Sequence, residues 1–328
     1  MEAPLPWIAE RRVDATLAGR LVTAQFPKLA GAEVTLLAEG WDNTVYVVGG
    51  EWVFRFPRRA IALSGVRLET AVLPLLALRL PLPVPVPELI GAPDDAYEWP
   101  FWGGRVLPGT DLALTELSDG GRAPLARQLG AFLRALHDPQ TAFEVRGCLA
   151  SAPDSPEGVR VELRVDPLLR ADSHAVATRA RDRLDRLEAA GLWVSSDASR
   201  AVLTNADGLS RTGADATLAA GGPVLVHGDL HLRHVLVTEN GHAAGVIDWG
   251  DACLADPSVD LSLAYAAFAG SDRAAFFGAY GTITPEQEVR ARVLALLLCA
   301  ALAEHAADTG AAMALRTSLD GLARASRP

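Results

Sequence analysis

The sequence predicts an α+β chain, with a small β-rich N-terminal lobe followed by a larger, mostly helical part. Three observations predict it. Short β-prone runs cluster before residue 108, two of them joined by Gly49-Gly50. Apolar spacing of three and four takes over from Arg122. Half of the 328 residues are apolar, enough for two modest cores.

Taken in order, residues Ile8 to Phe26 carry the spacing of an amphipathic helix that ends before Pro27. Val34 to Leu37, Thr44 to Val48 and Trp52 to Phe56 read as strands. Val66 to Leu80 reads as a helix despite Pro74. The prolines at 81, 83, 85 and 87 then force an extended segment. Strands at Leu89 to Gly91 and Phe101 to Leu107 complete the lobe. The helix from Arg122 to His137 places Leu125, Leu129, Phe132, Leu133 and Leu136 on one face. Residues 151–222 open on Pro and Ser, continue as a charged helix around Pro167 to Ala190, and end in an Ala/Gly/Ser/Thr/Asp-rich tail. They read as substrate-facing structure or mobile loop. Periodic helices resume from Leu261.

Composition excludes several function classes. A net charge of −10 disfavours nucleic acid or an anionic membrane as partner, because both require a basic face. Residues 1–12 hold no apolar run of signal-peptide length, and the longest apolar stretch, Val293 to Ala303, falls short of the ~20 residues of a membrane span. Three cysteines without C-x-x-C spacing argue against a disulfide framework. A cytoplasmic protein is expected. Lys28 is the sole lysine, so arginine is the chain's working cation.

Two segments carry the chemistry. HGDLHLRHVLV, from His227 to Val237, enters a polar loop from one β-like run and leaves as another. GVIDWGD, from Gly245 to Asp251, is an apolar strand stopping at a carboxylate and a glycine. Together they read as a hairpin-like unit in which Asp229, His234 and Asp248 come from strand ends and converge. Phosphoryl transfer uses such a set: a carboxylate to accept or orient the attacking hydroxyl, which Asp229 supplies, and ligands for Mg²⁺ beside the phosphates, which Asp248 and His234 supply.

The pattern H-G-D-L-H-x-x-H-V-L-V followed by G-V-I-D-W-G-D-A-x-x-x-D-P-x-x-D-L resembles the aminoglycoside and macrolide phosphotransferase family, whose fold is similar to that of protein kinases. Earlier segments agree. EGWDNTVY, residues 39–46, resembles the family's phosphate-covering hairpin, with Gly40 and Asn43 in it. WVFRFPR, residues 52–58, resembles the strand bearing a phosphate-contacting cation, here Arg55. Glu69 in LETAVL falls where the family's partner glutamate lies. Residues 101–109 resemble the strand and hinge whose backbone, at Arg105, Val106 and Leu107, meets the base.

The resemblance covers roughly residues 33–140 and 223–268. It implies a protein-kinase-like fold, with residues 1–107 as nucleotide-binding lobe with hinge and 108–328 as catalytic and substrate-binding lobe. It also implies Asp229 as catalytic base, Asp248 as metal aspartate, and Asp256 with Asp260 as buried acids bracing the loop. The chain departs from the pattern twice: histidine replaces the usual asparagine at 234, and arginine replaces lysine at 55. His227 reads as structural. His231 is open between a phosphate contact and packing.

The implied activity is transfer of the γ-phosphoryl group of ATP or GTP, with Mg²⁺, to a small-molecule hydroxyl. An aminoglycoside is the first expectation, supported by the net charge and by Asp251, Asp272, Glu304 and Asp308. A macrolide, for which His234 speaks, and metabolic alcohols of the choline, homoserine or fructosamine type are alternatives. So is a nucleotide-binding regulator without catalysis, suggested by Arg55 and His234.

Overall fold

The computed structural model describes residues 9–40, 42–117, 120–152, 160–209 and 222–327. The expectations for residues 1–8, for Trp41 in the hairpin, and for most of the Pro/Ser opening and the tail of the middle segment lie outside them. Two compact units are present, and the chain passes between them more than once. Arg79–Pro83 belong with the second unit, Val84–Leu107 with the first and Pro108–Cys148 with the second, which resumes at Leu163. The expected division at 107/108 is therefore one crossing among several.

The first unit is an antiparallel five-stranded sheet in the order β1-β2-β3-β5-β4. Its strands are β1 (Val34–Glu39), β2 (Asn43–Val48), β3 (Trp52–Pro57), β4 (Leu89–Gly91) and β5 (Phe101–Arg105). Gly49 and Gly50 both adopt positive φ, 62° and 71°, which is what the tight return from β2 to β3 demands. Helix α1 (Ala15–Gln25) begins at Asp14, whose carboxylate accepts from the Leu17 N–H, so the expected start at Ile8 is several residues early. Its Leu21 and Val22 join Phe54, Phe56, Tyr97 and Phe101 in one core, where the Phe56 and Phe101 rings stack at 4.7 Å.

Helix α2 (Leu63–Leu76) starts earlier than expected and stops two residues after Pro74, the ring having removed a backbone donor from its last turn. It buries Val66, Val72, Leu73 and Leu76, and with them Glu69.

In the second unit β6 (Thr110–Asp111), β8 (Val235–Val237) and β9 (Ala243–Val246) form one small sheet, while β7 (Val224–Val226) pairs with β10 (Cys253–Ala255) in another. The expected hairpin-like unit is the antiparallel pair of β8 and β9, which brings the two segments side by side. The two β-like runs around the polar loop belong to different sheets, β7 pairing with β10 and β8 lying between β6 and β9.

Helices supply the rest: α3 (Ala123–Leu136), α4 (Pro139–Ser151), α5 (Ser173–Ala189), α6 (Asp197–Asp207), α7 (Ser258–Ala267), α8 (Gly270–Tyr280), α9 (Pro285–Asp308) and α10 (Ala312–Ser326). Every residue of α7 is buried. Helix α9 opens on a capping box between Thr284 and Gln287, and its apolar run is core rather than membrane. No helix among the described residues is long and apolar enough to cross a membrane. The charged helix expected from Pro167 starts at Ser173, capped by Asp172, and residues 166–171 form a turn instead.

Helices α3 and α8 approach closely at Gly130, where an added Cβ would lie 2.3 Å from the Phe276 carbonyl oxygen. That neighbour is backbone and cannot swing aside. Gly130→Ala is therefore expected to lower stability by about 1–3 kcal/mol, the usual cost of overpacking, read as a drop in the urea midpoint at unchanged m-value.

Candidate active site

Asp229, His231 and His234 sit on the loop between β7 and β8, and Asp248 follows β9. The loop is held from beneath. Fully buried Asp260, in the first turn of α7, accepts from the His227 N–H at 2.7 Å and the Gly228 N–H at 3.0 Å. Its Oδ2 also meets His137 Nε2 at 3.2 Å, and His137 Nδ1 meets the Tyr280 hydroxyl at 2.9 Å. Gly228 has φ +87°, and a Cβ there would come within 2.2 Å of the Asp251 carbonyl oxygen, so the glycine before Asp229 is a steric requirement. Asp256, expected to brace the loop alongside Asp260, instead accepts from the Ser258 N–H at the start of α7.

Each histidine's tautomer follows from its partners. His227 Nε2 lies 2.9 Å from the Ile247 carbonyl, so it carries the proton, and Nδ1 accepts from the Asp229 N–H at 3.3 Å. The ring is fully enclosed beside Trp249, as its structural reading implies. His231 Nδ1 accepts from the Arg233 N–H, and its ring stacks on His234 with centroids 3.7 Å apart. Burial, aided by the neighbouring His234, pushes the His231 pKa well below the ordinary value. His234 Nδ1 donates to the Asp229 carbonyl at 2.8 Å, which leaves the lone pair on Nε2, 3.6 Å from Asp248 Oδ2.

That pair has the chemistry of a divalent-cation site, an imidazole nitrogen and a carboxylate oxygen. Neighbouring ligands of Mg²⁺ lie about 3 Å apart, a gap that small side-chain rotations close. Asp248 is one of three described non-glycine residues at positive φ, at 68°, a costly conformation that the surrounding fold must enforce. Asp229, His231 and His234 also bring ligand atoms within 4.8 Å of one another.

Asp229 is half-buried, and Arg170 grips it. Arg170 Nη2 lies 2.9 Å from Asp229 Oδ1, while Nη1 meets Asp251 Oδ2 at 3.0 Å and donates to the Gly228 carbonyl. The other oxygen, Asp229 Oδ2, lies 3.7 Å from His231 Nε2 and 4.0 Å from His234 Nδ1.

In the first unit, Arg55 on β3 and Glu69 on α2 form a buried ion pair at 2.9 Å, and Trp102 Nε1 donates to the other Glu69 oxygen at 3.1 Å. The pairing that distinguishes a working Arg55 from a plain surface charge is therefore made. Gly40 closes its turn through its N–H to the Asn43 carbonyl at 2.9 Å, and its own carbonyl accepts from Arg58 at 2.6 Å. Arg105 stacks over Trp52 at 3.9 Å and pairs with Glu51 at 2.8 Å. The Val106 N–H donates to the Glu51 carbonyl at 2.9 Å, so that group is spoken for, and a base meeting residues 105–107 would have to use others.

Residues 33–296 match the model of the phosphotransferase enzyme family, the APH family. The chain belongs to that family. Aminoglycoside 2'-phosphotransferase-IIIa, solved with GDP, superposes with a TM-score of 0.62 at 21% identity, over 96% of this chain and 99% of that one. A type I macrolide 2'-phosphotransferase superposes with a TM-score of 0.54 at 21% identity, over 95% and 98%. The uncharacterized protein YcbJ of Bacillus subtilis is 49% identical over 39 residues, a match spanning 12% of this chain and 13% of that protein.

This phosphotransferase-family fold is the kinase-like α+β fold expected. It brings Asp229, His234 and Asp248 together in one unit and Arg55 with Glu69 in the other. Sequence reading missed Arg170. No local pattern marks it, and its partners lie 58 and more residues away; the one available signal was an arginine beside Asp166 in a segment read as substrate-facing.

The neutral histidines set a pH dependence of stability. Burial lowers the His227 pKa as well as that of His231, so the folded protein keeps both rings neutral where the unfolded chain protonates them, below the ordinary 6.5. The unfolded state then binds more protons, so this stability is complete above that value and lost as pH falls through it. The urea midpoint is expected to fall between pH 7 and pH 5, and less steeply in His227→Gln.

Proposed function

We propose that the protein transfers the γ-phosphoryl group of a nucleoside triphosphate, ATP or GTP, to a hydroxyl of a small molecule. The observation that carries the reading is the Asp229 carboxylate, with one oxygen bound by Arg170 and the other facing the loop histidines, on a backbone anchored by buried Asp260. Such a carboxylate can take a proton without moving. The acceptor oxygen bonds to the γ-phosphorus, and the bond from that phosphorus to the oxygen shared with the β-phosphate breaks. The hydroxyl proton passes to Asp229 Oδ2, and the nucleoside diphosphate leaves.

Asp248 and His234 Nε2 would hold Mg²⁺, which when bound neutralises phosphate charge. In the other unit, Arg55, kept in place by Glu69, would meet the phosphates, with backbone of Gly40 and Asn43 beside them and the backbone of residues 105–107, at and after the end of β5, at the base. An Arg55 so paired, and a His234 with its lone pair on Nε2, weaken the case for a regulator without catalysis.

The acceptor follows from how the acids are used. Of the four behind the aminoglycoside expectation, Asp251 pairs with Arg170, and Asp272 accepts from the Gly120 and Arg122 N–H groups. Glu304 pairs with Arg183 and Arg186. We therefore rank a large, weakly charged alcohol of the macrolide kind ahead of an aminoglycoside.

Asp229→Asn is expected to remove turnover by about 10²–10⁴-fold while nucleotide affinity stays within a few-fold, since the amide keeps its shape but accepts no proton. A coupled nucleoside-diphosphate assay over antibiotics and small alcohols reads the first quantity, and nucleotide titration the second. More than a tenth of wild-type turnover in the variant would exclude Asp229 as base.

His234→Ala is expected to raise the Mg²⁺ concentration for half-maximal turnover at least about tenfold, no less than loss of an outer-shell partner would. His234→Asn, which restores an oxygen donor, should recover most of it. Unchanged Mg²⁺ dependence in His234→Ala would remove it from the ligand set.

A further inference from the structure

We infer that Arg170 sets acceptor specificity: it is a built-in counter-cation beside the base, selecting alcohols that are neutral or singly charged over polycationic ones. The inference rests on Asp229 being the base of the proposed reaction. An acceptor hydroxyl hydrogen-bonded to Asp229 comes within one carboxylate's width of the Arg170 guanidinium, which is 2.9 Å from Oδ1. Ammonium groups on such an acceptor therefore meet a fixed positive charge where two carboxylates would otherwise attract them.

The guanidinium is held there by backbone remote from the loop. Asp166 accepts from the Arg170 N–H at 2.8 Å and the Ala171 N–H at 2.9 Å. Its own N–H donates to the Leu254 carbonyl on β10 at 2.9 Å, and the Leu254 N–H donates to Arg164 at 2.8 Å. Asp166 and Leu169 both take positive φ, 31° and 51°, so the turn is strained into this shape and not free to drift. The Arg170 side chain is 16% exposed. Burial works against its charge, yet Asp229 and Asp251 outweigh burial and raise its pKa.

The same turn leaves Val165, Leu168 and Leu169 exposed. Asp229, Asp251 and Arg170 together carry one negative charge, and exposed apolar side chains precede Arg170 in sequence. That combination suits an alcohol with an extensive apolar surface and at most one amine.

The test uses two alcohols, kanamycin as the polycation and erythromycin as the weakly charged probe. Each is measured by turnover and by titration calorimetry on the full-length protein with a non-hydrolysable nucleotide. Arg170→Met should strengthen kanamycin binding at least tenfold at low ionic strength and make it salt-sensitive, since the freed carboxylates are screened as the Debye length shrinks. Erythromycin binding should not strengthen, and Arg170→Lys should keep the wild-type preference.

Asp251→Asn should act in the opposite direction, weakening kanamycin binding further while leaving Arg170 in place. It keeps the inference exposed should Arg170→Met fail to fold. Equal changes for both alcohols in Arg170→Met, or stronger kanamycin binding in Asp251→Asn, would overturn the inference. Absence of turnover with every alcohol, in wild type and variants alike, would instead count against the phosphotransfer reading, because the binding preference is measured without turnover.

Discussion

The active loop depends on one buried charge. Asp260 has no solvent to stabilise its carboxylate, and an ion so placed is costly unless its lone pairs are filled. They are filled by the N–H groups of His227 and Gly228 and by His137. Two of these donors belong to the residues immediately before Asp229. The carboxylate's need for donors therefore fixes the backbone from which the candidate base projects. Since Asp260 lies on α7, every residue of which is buried, the loop inherits the rigidity of the helical core. Packing beneath the loop thus decides the position of the candidate base.

A second buried charge does similar work in the first unit. Glu69 is divided between Arg55 and Trp102, and the Arg55 guanidinium also lies over the Trp102 ring at 5.7 Å. A planar cation can bond a carboxylate and lie over an aromatic face at once, which a lysine ammonium does less well. Arginine at this position thus comes with its own support. Trp102, which sequence reading treats as packing, is a hydrogen-bond donor in that support.

Legibility in the sequence followed the range of the interaction. The sheet strands and the Gly49-Gly50 return were readable because alternation and turn residues act over a few positions. Helix ends were less so: α1 begins at the Asp14 cap and α5 at the Asp172 cap, whereas apolar spacing ran on past both. The pairing of β8 with β9 was legible from the two segments together, whereas nothing in HGDLHLRHVLV specifies that β7 finds β10. Asp229, His234 and Asp248 were picked out by a resemblance in order and spacing, and the fold brings the three together. Arg170 was not, because its contacts exist only once distant segments are folded together.

The same distinction explains why net charge is a poor guide to the acceptor. A charge of −10 is a property of the whole surface, and it bears on solubility and long-range attraction. What an acceptor meets is the local sum, and three of the four acids behind the aminoglycoside expectation are already committed within the fold. Asp251 shares Arg170 with Asp229, Glu304 holds Arg183 and Arg186 together, and Asp272 terminates backbone N–H groups. A carboxylate whose lone pairs are taken by an internal guanidinium has little left for an incoming ammonium, and displacing the guanidinium would strand a buried cation. On the proposed reading, specificity resides in the arginine that neutralises the acids, more than in how many acids the chain carries.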